Sequence, residues 1–147
     1  MLVSPCIFCQ IAAGDHLAVR ILETDQVMAF LDIAPVHPGH ALVIPKDHYE
    51  NLLELPDELW GEMGQVCRQV AQALQKAFQA PGFNLGMNNF EAAGQAVFHA
   101  HIHVIPRFYG DGLQLFPQSG YQPGEMQEVG RRLRQALASE EEMGGKD

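Results

Sequence analysis

Two short apolar runs, Ala18 to Glu23 (AVRILE) and Val27 to Leu31 (VMAFL), are parted by the polar Thr24, Asp25 and Gln26. Apolar runs of that length divided by a few turn-forming residues predict a β-hairpin. Pro35, Pro38 and Gly39 then break the chain into a loop, from which His40 opens a third strand, HALVIP, closed by Pro45. From Pro56 to Gln79 the period changes. Leu59, Met63, Val66, Val70, Ala73, Leu74, Ala77 and Phe78 recur every three or four residues, while Glu58, Glu62, Arg68, Gln69, Gln72 and Lys76 take the other face. This predicts one long helix, opened by a proline with two acids behind it and stopped by Pro81 and Gly82. Two further strands are predicted at Phe83 to Met87 and Phe98 to Ile105, joined by a Gly- and Asn-containing loop, and a weaker amphipathic helix at Glu125 to Ala138. Hairpin-compatible connections around five strands place the chain in the α+β class, with an antiparallel sheet, one long helix and one or two shorter ones. A single domain over residues 1–138 is expected, and then an acidic, frayed tail from Ser139 to Asp147.

Composition narrows the function. With 147 residues, 47% of them hydrophobic, the chain can bury one core. Eighteen acids against nine bases give a formal charge of −9, whose field repels polyanions and excludes free nucleic acid as the main partner. The N-terminal MLVSPCIFCQ has no basic leader, and nowhere are eighteen apolar residues consecutive, so neither a secretory signal nor a membrane span is expected and the expected location is cytoplasmic. Cys6 and Cys9 stand in C-x-x-C spacing, which in a reducing compartment suggests metal binding or redox chemistry more than a structural disulfide. Cys67, within the helical pattern, reads as a small buried apolar residue.

Six of the seven histidines fall in two stretches: His37, His40 and His48, then His99, His101 and His103. On a strand, residues two apart share a face, so His99, His101 and His103 line one side and Ala100, Ile102 and Val104 the other. Imidazoles at strict period two suit a multi-histidine metal site. They equally suit a phosphate site, in which one neutral imidazole attacks phosphorus while others hold its oxygens. Spacing alone leaves both open.

The stretch from Asn88 to Arg107, NNFEAAGQAVFHAHIHVIPR, resembles the signature of the histidine triad (HIT) family, with its Gly-Gln pair ahead of alternating histidines and the Pro-Arg behind them. Ile7-Phe8, the run Ala29 to Ile33 and the run Pro38 to Lys46 resemble the other landmarks of the family, in order, so that the resemblance spans residues 6 to 108. It implies a nucleotide hydrolase or transferase on a five-stranded antiparallel sheet, acting on a small-molecule nucleotide and forming a homodimer. By position His101 matches the nucleophile that attacks the α-phosphorus to give a nucleotidyl-histidine. That chemistry needs the lone pair on Nε2 and the proton on Nδ1, held in the family by a backbone carbonyl near the first histidine. His103, His40 and Gln95 match residues around the phosphate oxygens and leaving group. Asp32 matches a position that binds ribose hydroxyls, Phe8, Phe30 and Ile33 an apolar clamp on the base, and Asn88 a polar contact near the phosphate. Ordinary core packing is an equal reading for each clamp residue alone, and a turn for Asn88. Ala96 departs from members that carry a hydroxyl residue there to help the leaving group.

The same resemblance implies a structural zinc on Cys6, Cys9, His48 and His99, a closed shell that braces rather than catalyses and that would hold His99 beside the nucleophile. A redox C-x-x-C is the competing reading, although the βαβ context it would need is absent. Two functions compete: an enzyme cleaving P–N or P–O–P bonds at an α-phosphate, and a non-catalytic nucleotide-binding sensor or interaction module. The complete set of histidines favours the enzyme, because sensing needs affinity but no aligned nucleophile. His16 and His37 receive no role.

Overall fold

The computed structural model describes residues 5–144, without the side chains of residues 141–144. It forms two compact units, Met1–Leu113 and Gln114–Asp147. The first holds helix α1 (Ile7–Ala13), strands β1 (Arg20–Glu23), β2 (Val27–Leu31) and β3 (Ala41–Pro45), helix α2 (Asp57–Phe78), and strands β4 (Gly82–Gly86) and β5 (Ile102–Arg107). The second contains helix α3 (Glu125–Gly144).

The five strands make one sheet in the order β1-β2-β3-β5-β4, every neighbouring pair antiparallel. Thr24 closes the first hairpin: its hydroxyl oxygen accepts from the Val27 N–H at 3.0 Å and its own N–H reaches the Val27 carbonyl at 2.8 Å. The α+β class and the five-stranded antiparallel sheet are as the sequence predicts. Most boundaries agree within one or two residues, and larger differences fall at the first strand, the last strand and the final helix. The first strand starts at Arg20, not Ala18, where a bulge between Arg20 and Leu22 shifts the register. The last strand starts at Ile102, so His99 and His101 stand in the irregular segment leading into it and only His103 lies on it. Finally, α3 runs on past Ala138, and the expected tail is helical to Gly144; its last residues, 145–147, and residues 1–4 of the N-terminus lie outside the described residues.

Alternating side chains divide the sheet between two apolar layers. Val27, Ala29, Ala41, Val43, Ala100, Ile102 and Val104 pack against Leu59, Met63, Val66, Cys67, Val70 and Leu74 of α2. On the reverse face Met28, Phe30, Leu42 and Ile44 pack against Phe8 and Ile11 of α1. Cys67 is buried as expected, and burial pushes its thiol up to about 11. Helix α1 was not predicted, because its seven residues give periodicity too few turns to register. It is held instead by its ends: the Cys6 sulfur caps the first turn through the Cys9 N–H, and Gly14 ends it at φ 83°.

Candidate active site and metal centre

Helix α1 starts at the C-x-x-C pair, so one turn separates Cys6 at the cap from Cys9 and both sulfurs lie on the same side. His48 approaches from the loop after β3, and His99 from the segment before β5. Cys6 Sγ lies 3.5 Å from His99 Nδ1, Cys9 Sγ 3.5 Å from the same atom, and Cys9 Sγ 3.3 Å from His48 Nδ1. A tetrahedral ion with Zn–S of about 2.3 Å and Zn–N of about 2.0 Å would set S···N separations near 3.5 Å, so the four side chains fit a zinc shell without rearrangement. His99 is completely buried, and its Nε2 donates to the Pro45 carbonyl at 2.7 Å. Because a carbonyl only accepts, the proton is on Nε2, and Nδ1 turns its lone pair toward the sulfurs. Burial lowers the His99 pKa to about 4, which keeps the ring neutral, the state a metal ligand needs.

Two residues on, the His101 Nδ1 donates to the His99 carbonyl at 2.8 Å. In the neutral ring Nε2 is then the nitrogen without a proton, the tautomer that attack on phosphorus requires. Phe8 stands edge-on to His101 with centroids 5.2 Å apart and to Phe30 at 5.5 Å. The aromatic wall thus sets the angle of the imidazole.

A second chain of bonds fixes His103. The Val36 N–H donates to His40 Nδ1 at 3.0 Å, so the His40 proton must sit on Nε2, from which it donates to His103 Nδ1 at 2.9 Å. His103 in turn carries its proton on Nε2. The Asp32 carboxylate lies 3.6 Å from His40 Nε2, and its other oxygen accepts from the Ala34 N–H at 2.9 Å. Burial first, and then the neighbouring His101 and His40, lower the His103 pKa to about 4. Burial also lowers that of His40, against the attraction of Asp32.

His101 and His103 open onto a cavity of about 960 Å³, bounded also by Phe8, Phe30, Asp32, Ile33, Asn88, Ala96 and Val97. The size suits a mononucleotide-sized ligand. Phe8 and Phe30 serve core and cavity wall at once, whereas Ile33, 98% exposed, stands at the lip. His16 lines the same cavity. Gln95 stands behind it. Its Oε1 accepts from the Phe90 N–H at 2.8 Å, and its Nε2 donates to the Val97 carbonyl at 3.0 Å and to the Glu50 carbonyl. Every proton of that amide is committed to backbone, and Phe90, at φ 72° and ψ 157°, is held by it in a region that residues with side chains avoid. Sequence reasoning does not reach the backbone partners at Val36, Pro45 and Glu50, because main-chain groups leave no residue-type signature.

Residues 14–110 match the HIT domain family. The chain is 42% identical over 138 residues to the protein named hit of Bacillus subtilis, covering 91% of this chain and 95% of that protein. It is 39% identical to an adenosine 5'-monophosphoramidase of Schizosaccharomyces pombe, over 87% of this chain and 95% of that one. An adenylylsulfatase of Arabidopsis thaliana is 41% identical over 72% of this chain and 54% of its own length. Among solved structures, a HIT family protein of Bacillus subtilis superposes with a TM-score of 0.82 at 40% identity, covering 90% of this chain and 96% of that one. A zinc-bound histidine triad protein of Mycobacterium smegmatis gives 0.72 at 39% identity, over 95% of this chain and 97% of that one.

Proposed function

Because the chain belongs to the histidine triad (HIT) family, we propose that it is a nucleotide hydrolase acting at the α-phosphate of a nucleoside phosphoramidate or dinucleoside polyphosphate through a covalent nucleotidyl-histidine. The observation that carries this reading is the His101 ring, whose Nδ1–H is tied to a backbone carbonyl so that Nε2 meets the cavity as a lone pair. In the first step the Nε2–P bond forms and the bond to the leaving group breaks, its electron pair departing with that group, which takes a proton from water. In the second, a water oxygen bonds to phosphorus, its proton passes to solvent, and the P–Nε2 pair returns to His101. The products are a nucleoside monophosphate and the free leaving group.

His103 contributes as a donor. With Nδ1 already accepting from His40, its Nε2–H is the proton it can offer to a phosphate oxygen, a fixed dipole aimed where charge develops. His40 acts through His103. Asp32 accepts the ribose hydroxyls, Phe8, Phe30 and Ile33 hold the base, and Asn88 contacts the phosphate from the cavity wall. Gln95 acts on the loop that carries Asn88 rather than on the phosphate, since its amide is committed. Zinc, held by Cys6, Cys9, His48 and His99, would supply a rigid brace with no open coordination position. The chain works as a homodimer inside the cytoplasm; β4 stands at the edge of the sheet with Phe83 and Leu85 exposed, a surface open to a second copy.

The names of the S. pombe and Arabidopsis relatives support a small adenosine nucleotide as substrate. Incubation with adenosine phosphoramidate and with diadenosine polyphosphates, beside His101→Ala, tests the reading. Turnover that falls at least about 10³-fold in the variant is expected. Unchanged turnover in His101→Ala would refute the mechanism, and nucleotide binding without turnover by the unaltered protein would establish the binding module instead.

A further inference from the structure

One polar cluster lies away from the cavity groups already described. The Asp111 carboxylate, only 6% exposed, collects five donors: Arg107 Nε at 2.8 Å and Nη2 at 2.7 Å, the Phe108 N–H at 2.9 Å, the Leu113 N–H at 3.1 Å and His37 Nε2 at 3.0 Å. The Arg107 guanidinium holds its carboxyl well below the usual range, so it is an anion at any working pH. A carboxylate only accepts, and His37 therefore presents an N–H; its ring also stands edge-on to Phe108, with centroids 5.8 Å apart. His37 belongs to the loop between β2 and β3. Its carbonyl accepts the His40 N–H at 3.0 Å, and the residue before it, Val36, supplies the N–H that sets the His40 tautomer.

We propose that the His37–Asp111 pair is a positioning device for the reaction: by anchoring the 36–37 peptide to the end of β5, it keeps the Val36 N–H on His40 Nδ1 and so keeps His103 a donor. This rests on the catalytic reading above for its consequence, though not for its geometry. Imidazole has two neutral tautomers, and the hydrogen bond at one nitrogen chooses between them. With Val36 displaced, water can accept a proton from His40 Nδ1, and His40 Nε2 becomes a lone pair facing His103 Nδ1. His103 then satisfies that contact only by moving its own proton to Nδ1, which turns an Nε2 lone pair toward the phosphate. Donation is replaced by repulsion at the position where charge builds up.

His37 is the link to cut, because its side chain is partly exposed while Asp111 also fastens Arg107 and two backbone groups. His37→Ala removes the anchor, and His37→Gln keeps an amide N–H of similar reach. Imidazole ¹H–¹⁵N correlation spectra of the unaltered protein are expected to show His40 and His103 both protonated on Nε2. In His37→Ala they are expected to show mixed tautomers, with kcat down about ten- to a hundredfold and KM little changed, and His37→Gln restores both readouts. The proposal is overturned if His37→Ala keeps the wild-type tautomers and kcat, or if His37→Gln is as impaired as His37→Ala. Should the unaltered protein turn over no nucleotide, the catalytic reading fails, and the imidazole spectra by themselves decide whether the anchor sets the tautomers.

Discussion

The histidines of this protein differ less in residue type than in what their Nδ1 and Nε2 atoms meet. Pro45 O takes the proton of His99, His99 O that of His101, and the Val36 N–H forces that of His40 outward. In the proposed function these allocations suit one ring to be a ligand, one a nucleophile and one a relay. The half-buried, neutral His103 also makes stability depend on pH. Its folded pKa of about 4 lies below the ordinary 6.5, so between those values the unfolded chain binds more protons than the folded one. Stability falls as pH drops from about 6.5 to about 4 and levels off below, with a loss on the order of 2 kcal/mol. Urea unfolding of the protein and of His103→Gln from pH 7 to pH 5 checks this: the advantage of the unaltered protein shrinks with acid, and a constant difference would contradict a His103 held neutral by the fold. The alternation of His99, His101 and His103, the Gly-Gln lead and the C-x-x-C pair were legible as candidates. The tautomers of His99, His40 and His103 were not, since the Pro45 carbonyl, the Val36 N–H and the His40 ring that decide them carry no signal in residue type or spacing. Gln95 shows the same limit: its residue type suits a phosphate contact, while its surroundings consume its amide.

Among the elements, the loop between β2 and β3 shows how packing aims a side chain. Gly39 has φ +101°, and a Cβ there would meet Leu74 Cδ2 of α2 at 2.9 Å and Phe78 Cε2 at 3.2 Å. The loop can carry His40 to the head of β3 only because nothing occupies that space. Gly39→Ala is expected to cost about 1–3 kcal/mol in denaturant unfolding, and to lower turnover as well by moving His40. A stability unchanged within experimental error would show that the loop adapts freely. The two apolar layers follow from period: alternation gives β2 and β3 a face each for α2 and α1, and the 3.6-residue repeat gives α2 its single buried stripe. Where the pattern was too short to carry a period, as in α1, the element came from its caps.

At the scale of the molecule, the candidate metal centre ties together segments far apart in sequence, since α1, the loop after β3 and the lead into β5 converge there. A zinc bound to the folded form and not to the open chain stabilises it by linkage. Its removal by a chelator is expected to lower the melting temperature by on the order of 10 °C, and Cys9→Ser to melt at the lower temperature with no further response. Elemental analysis well below one zinc per chain in protein never exposed to chelator would remove the centre. Sedimentation in solution at twice the 16.3 kDa chain mass is the expected result for the homodimer; a single-chain mass at micromolar concentration would exclude it. The formal charge of −9 disfavours a polyanion track yet is compatible with a phosphate pocket, because imidazole donors at contact distance outweigh screened distant carboxylates. By itself the sequence determined the strands, the long helix, the candidate histidines and the paired cysteines, because periodicity and spacing are local properties of the chain. Only the tertiary structure decided which nitrogen of His99, His40 and His103 bears its proton, that the Gln95 amide is committed to backbone, and that Asp111 reaches His37, because those outcomes depend on contacts that residue type and local spacing do not carry.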